Sequence, residues 1–85
     1  MEGIFSEGFD KRFRKLPIRV QHQFHARLRM FLANPTHPQL RNHMLKGPLL
    51  GFRAIVISGD YRAVYHLVKP GVAEFVNIGT HNQVY

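Results

Sequence analysis

The chain reads as an α+β protein: an N-terminal helical hairpin packed on a small antiparallel β-sheet, forming a single domain over residues 1–85. Three observations point there. Apolar residues recur at helical spacing from Phe9 to Leu32 and the pattern then stops at a loop rich in proline and glycine. Beyond that loop the β-branched and aromatic content rises, in short runs separated by tight-turn sequences. The length suits one modest core and is too short for two.

Taken in order, "MEGIFS" reads as a short first strand. "EGFDKRFRKL" places Phe9, Phe13 and Leu16 at i, i+4 and i+7, an apolar helical stripe beside Lys11, Arg12, Arg14 and Lys15. Pro17 suits the first turn of a second helix and pushes Leu16 out of the helical region, so the chain breaks there. From Ile18 to Ala33 the residues Val20, Phe24, Leu28 and Phe31 or Leu32 repeat at helical spacing, and Asn34-Pro35 ends the run. Residues 34–51, "NPTHPQLRNHMLKGPLLG", contain three prolines and two glycines and form a long loop, a length often tied to function. "FRAIVIS", "YRAVYHLV" and "AEFVNIG" then read as three strands joined by "GD" and "KPG", an antiparallel meander. The hairpin must bury its stripe on one face of this sheet, which leaves the other face free for a ligand.

Composition narrows the function. Cysteine is absent, which removes disulfides and thiolate metal sites and fits a reducing cytoplasm. No segment approaches the length of a membrane span, and the start "MEGIFSEGFDKR" has no apolar signal region, so a cytoplasmic protein without membrane contact is expected. The net charge is +7 and unevenly spread: three of the five acids lie in the first ten residues. Between Lys11 and Gly59 there are ten Lys or Arg and no acid. Such a field draws polyanions and speeds their encounter, and nucleic acid is the natural partner. Charge alone is a footprint and not a mechanism.

The residues that carry chemistry lie in "HMLKGPLLGFRAIVISGDYRAVY" and "IGTHNQVY". Their order is His-x-Leu-x-Gly, Gly-x-Arg, Asp-Tyr-Arg-x-x-Tyr and Gly-Thr-His, following two helices. Over nearly the whole chain this resembles the RelE/ParE superfamily of toxins from bacterial toxin–antitoxin pairs. It is most similar to the YafQ and RelE branches, which are messenger-RNA endonucleases. The resemblance implies a toxin of a type II system that cuts message in the ribosomal A site without a cofactor. It also implies a co-expressed small antitoxin, acidic or amphipathic, that silences the toxin, with DNA reached only through the antitoxin complex.

Metal-free RNA cleavage needs a base for the 2′-hydroxyl proton, an acid for the leaving 5′-oxygen, and cations around the phosphate. Histidine titrates near neutrality in its unperturbed state and fits the proton roles. Arginine stays charged, and its planar fork meets two phosphate oxygens. By position, His81 matches the C-terminal histidine of YafQ-like toxins, a general acid. Asp60 and His43 match the acid and the loop histidine of that branch, and either serves as base or orients the base. Arg62 matches the phosphate-binding arginine of RelE-like toxins, while Arg53 and Lys46 stand where a basic rim would be. Tyr85 matches a C-terminal aromatic suited to stacking on a base. At Val56 the pattern departs, because the YafQ branch carries a second histidine there.

Each residue also has a plainer reading. His81 and His43 are then loop histidines, Asp60 a turn former, Arg62 a solvated charge and Tyr85 a cap on the sheet edge. Tyr61 and Tyr65 are assigned to packing. His22 and His25 share a helix face at i, i+3, but without a carboxylate or thiolate beside them they form no metal site. The working expectation is that His81, Asp60 and Arg62 line the open sheet face at strand ends and share one phosphate. Tyr85 closes one side, with little chain beyond it to obstruct the cleft. Two alternatives are a ParE-like toxin that inhibits DNA gyrase and is no nuclease, and an inactive basic nucleic-acid-binding module.

Overall fold

Ser6 starts the first helix: its Oγ accepts the Phe9 backbone N–H at 3.0 Å, satisfying one of the free donors at the helix end. The computed structural model describes residues 1–85. Strand β1 (Glu2–Phe5) leads through this cap into α1 (Glu7–Arg14), and α2 (Ile18–Ala33) follows after the Leu16-Pro17 corner. The Gln21 side chain holds that corner by donating to the Leu16 carbonyl at 3.0 Å. The loop is not featureless. It carries short 3-10 turns at Pro38–Leu40 and Gly47–Leu49, with the two-residue strand β2 (His43–Met44) between them. Then come β3 (Arg53–Ser58), β4 (Tyr61–Lys69), β5 (Val72–Thr80) and a final turn of helix, α3 (His81–Val84).

The five strands form one sheet in the order β1-β5-β4-β3-β2. The meander is antiparallel as expected, at the "GD" and "KPG" turns, where Gly59 and Gly71 take φ values of 50° and 81° that other residues rarely adopt. The sheet is nevertheless mixed, because β1 runs parallel to β5, pairing Glu2 with Val72 through Phe5 with Phe75. A parallel neighbour needs a crossover, and here the chain carries it through the helical hairpin and then the β2–β4 strands.

The hairpin buries its stripe on one face, with α1 over β5 and α2 over β3. Phe75 stands at the centre of this core, its ring 5.4–6.0 Å from those of Phe5, Phe9, Phe24, Phe31 and Tyr65. Such spacings are those of attractive aromatic pairs, and full burial of each Phe contributes roughly 1.5–3 kcal/mol. Tyr65 is a core residue, 3% exposed. The opposite sheet face is not bare. Leu45, Ala54, Val64 and Val84 form a second, smaller buried cluster there, with Leu49, Phe52 and Val76 packed against it. Only part of the face expected to be free is therefore open, since α3 and the 43–49 segment fold over the rest.

Candidate active site

A short helix over the sheet gives the site its shape. Thr80 and Gln83 cap α3 reciprocally: the Thr80 side chain accepts from the Gln83 backbone, and Gln83 Oε1 accepts the Thr80 N–H at 2.8 Å. The His81 backbone N–H donates to the Asp60 carbonyl at 3.0 Å, pinning the start of α3 to the β3–β4 turn. Gly79 makes room for this fold-back, because a Cβ there would meet Gln83 Oε1 at 2.6 Å. The signal was present in the sequence as Thr80-x-x-Gln83, a capping box that was not read as one.

Helix α3 brings Tyr85 between two histidines. Its ring lies edge-on to His81 with centroids 4.4 Å apart, and edge-on to His43 at 6.4 Å. The phenol oxygen is 3.5 Å from His43 Nε2, at the limit of a hydrogen bond. His43 stands opposite Ala54, and Ala54 opposite Val64, so all three belong to the face that α3 covers. The His43 ring is held from behind by its Nδ1, 2.9 Å from the Arg41 carbonyl. A carbonyl only accepts, so Nδ1 carries the proton and, in the neutral ring, Nε2 keeps its lone pair toward Tyr85. Arg41 itself is left-handed at φ 47°, the one non-glycine residue in that region. This conformation costs roughly 1–3 kcal/mol and here aims the carbonyl at His43.

Arg62 is opposite Val56 on β3 and Gly79 on β5, which puts it on the same face near α3. Its guanidinium donates to the Gly59 and Tyr61 carbonyls at 2.8 and 3.0 Å, which fixes it at the β3–β4 turn. The cation is felt at Tyr85: burial raises the phenol above its ordinary 10.0, and Arg62 partly opposes that rise. Tyr85 is therefore a neutral phenol at physiological pH. Val56 lies directly beside Arg62, so the position without a histidine is within the site.

The remaining expected residues divide. Lys46 is on the rim of an open hollow of about 470 Å³ next to the histidines, lined also by Leu45, Pro48, Leu49, Val84 and Tyr85. Asp60 joins the site through its backbone carbonyl, and its exposed carboxylate makes no hydrogen bond or ion pair. The expectation that it shares a phosphate with His81 and Arg62 has no contact behind it. Arg53 lies apart from the cluster. It pairs across the ladder with Tyr65, hence on the helix side of the sheet, and its Nε donates to Asn42 Oδ1 at 2.9 Å. Period-two alternation sets this: Arg53 has the parity of Ile55 and Ile57, which face the helices. His22 and His25 are exposed on α2, with His25 edge-on to Phe13. His37 caps a 3-10 turn by accepting from the Gln39 N–H, and His66 pairs with Glu74 at 2.8 Å. Gln83, Arg12 and Lys15 line a second hollow and are not among the residues expected to form the site.

This arrangement offers an imidazole with a free lone pair, a second exposed imidazole, a fixed guanidinium and an aromatic wall beside an apolar hollow. It has the parts for moving protons at a bound phosphodiester.

No protein-family model and no curated protein matches the chain by sequence. Solved structures do match in three dimensions. YafQ from Escherichia coli superposes with a TM-score of 0.82 at 18% identity, over 99% of this chain and 97% of that one. A copper-bound mutant toxin from Helicobacter pylori gives 0.69 at 27% identity, over 100% and 99%. The intact RelBE toxin–antitoxin complex of Escherichia coli gives 0.70 at 26% identity, over 93% and 94%.

Proposed function

By its fold this chain belongs with the RelE/ParE-like toxins, and from that premise we propose that it is the toxin of a type II toxin–antitoxin pair. Its activity is metal-independent endonucleolytic cleavage of messenger RNA on the ribosome. The observation that carries this reading is the placing of Tyr85 between His43 and His81 beside the fixed cation of Arg62.

His43, with Nδ1 held by the Arg41 carbonyl, takes the 2′-hydroxyl proton at Nε2. The resulting oxygen attacks the adjacent phosphorus, and the bond from phosphorus to the 5′-oxygen breaks. His81, exposed at the start of α3, gives its proton to the departing oxygen, so the products are a 2′,3′-cyclic phosphate and a 5′-hydroxyl. Arg62 faces the charge that gathers on the non-bridging oxygens. Tyr85 stacks on a base that enters the hollow floored by Leu45, Leu49 and Val84, with Lys46 at the rim for the backbone. Asp60 is assigned a positioning role through the His81 backbone. The cognate antitoxin is a small protein that covers this basic face.

The test is expression without a partner, followed by mapping of message ends. Cut message carrying 5′-hydroxyl termini is expected, and both His43→Ala and His81→Ala should abolish it while the proteins stay folded. Whole message with altered DNA supercoiling would instead identify a gyrase inhibitor and remove the nuclease reading.

A further inference from the structure

Helix α3 has a hollow on each flank. The site above uses the one lined by Val84 and Tyr85. On the other flank Gln83 joins Arg12, Lys15, Leu16 and Ile78 around a space of about 360 Å³. Nothing in the proposed chemistry uses this second hollow.

Arg12 lies in the last turn of α1 and Lys15 is its C-cap residue, where cations complement the helix dipole. Neither forms an ion pair; the α1 salt bridge is Lys11 with Glu7. Arg12 instead donates from Nη1 to Asn77 Oδ1 at 2.8 Å, which fixes the guanidinium across the gap between α1 and β5. Four of its five N–H groups are left for another acceptor. Lys15 and Gln83 are exposed at the same opening, above an apolar floor of half-buried Leu16 and buried Ile78. A pre-positioned guanidinium with an ammonium and an amide around it is a receptor for phosphate oxygens.

We propose that this hollow is a second phosphate subsite for the same RNA strand, holding a phosphodiester a few nucleotides from the one that is cut. The inference rests on the nuclease reading and extends it. Because α3 separates the two hollows, a strand seated in both crosses a helix roughly 10 Å wide, a span within reach of a few nucleotides. Helix α3 is thus the saddle over which the message bends, with His81 and Tyr85 serving one side and Gln83 the other. Acidic side chains of a protein partner share some of the phosphate chemistry. Two hollows on either flank of one short helix favour a strand long enough to seat in both.

The experiment measures binding of the full chain to 2′-O-methylated single-stranded RNA, which cannot be cut, by fluorescence anisotropy across a salt series. A twelve-nucleotide strand reaches both hollows and a tetranucleotide only the first. Arg12→Gln with Lys15→Gln should weaken the long strand about 10-fold or more and lower the salt slope by roughly 1.4, the value for two lost phosphate contacts on a single strand. Tetranucleotide affinity should stay within about twofold. Arg14→Gln with Arg29→Gln removes the same charge from exposed positions outside the hollow and should leave the slope close to wild type. If the Arg12/Lys15 pair behaves like this control while Tyr85→Ala still weakens both RNAs, the subsite is wrong and the nuclease reading survives. If Tyr85→Ala changes neither, both fall. Loss of poly-glutamate binding alone in the Arg12/Lys15 pair would assign the hollow to a protein partner and overturn the subsite.

Discussion

Two imidazoles of unlike surroundings face Tyr85, and in the proposed reaction that difference separates their roles. His43 has its Nδ1 proton committed to the Arg41 carbonyl, whereas His81 is exposed with its backbone tied to Asp60. Replacing either by Ala should lower single-turnover cleavage by about 10²–10⁴-fold, the usual worth of one proton-transfer group, with no loss of melting temperature. Tyr85→Phe keeps the ring and loses only a 3.5 Å contact, so it should retain most activity, while Tyr85→Ala should raise the KM for message far more than it lowers kcat. The phenol also sets a pH dependence. Its pKa is raised in the fold, so the folded state holds the proton more tightly than the unfolded chain. The stability this contributes is intact below pH 10.0 and is lost as pH rises through the higher folded value. Melting curves above that pH should fall more steeply for the wild type than for Tyr85→Phe. At this scale the sequence singled out His81, His43, Arg62 and Tyr85 by their spacing, and the structure brings His43, His81 and Tyr85 side by side. The sequence reading misplaced Arg53, because a list of basic residues ignores the strand parity that sends Arg53 to the helix side. It also joined Asp60 to the site by side chain, where only the backbone carbonyl makes the link.

Among the elements, α3 decides whether the site exists. Four residues make a helix too short to hold itself, so its caps and the burial of Val84 must do so. Thr80→Ala removes half of the capping box and should cost about 1 kcal/mol, read by chemical denaturation. Gly79→Ala should displace Gln83, because a Cβ there would meet its Oε1 at 2.6 Å, and should cut cleavage more than it cuts stability. Equal losses in both would show that α3 only fills space. The helices and the three meander strands were readable from periodicity almost to the residue. The short pieces were not. Strand β2 has two residues and no alternation to detect, and four residues of α3 are too few to show a helical period. The parallel pairing of β1 is set by a tertiary crossover that no local pattern records.

For the molecule as a whole, both faces of the sheet carry a core, and cations lie on either side of it. The aromatic cluster around Phe75 holds the scaffold, and Phe75→Ala should cost about 3–5 kcal/mol, enough to unfold much of a domain this small. Cations lie on α1, α2, the 41–46 segment, β3 and β4, with Lys46 and Arg62 on the face that α3 covers. Affinity for RNA should therefore fall steeply with salt while the folded state changes little. A partner that covers this face should raise the melting temperature and stop cleavage together, because it binds only the folded chain. The most direct measurement is the chemistry of the cut. Purified protein added to translating ribosomes should yield message fragments bearing 2′,3′-cyclic phosphate and 5′-hydroxyl ends, absent with His43→Ala or His81→Ala. Intact message, or the same fragments from both histidine variants, would contradict the account.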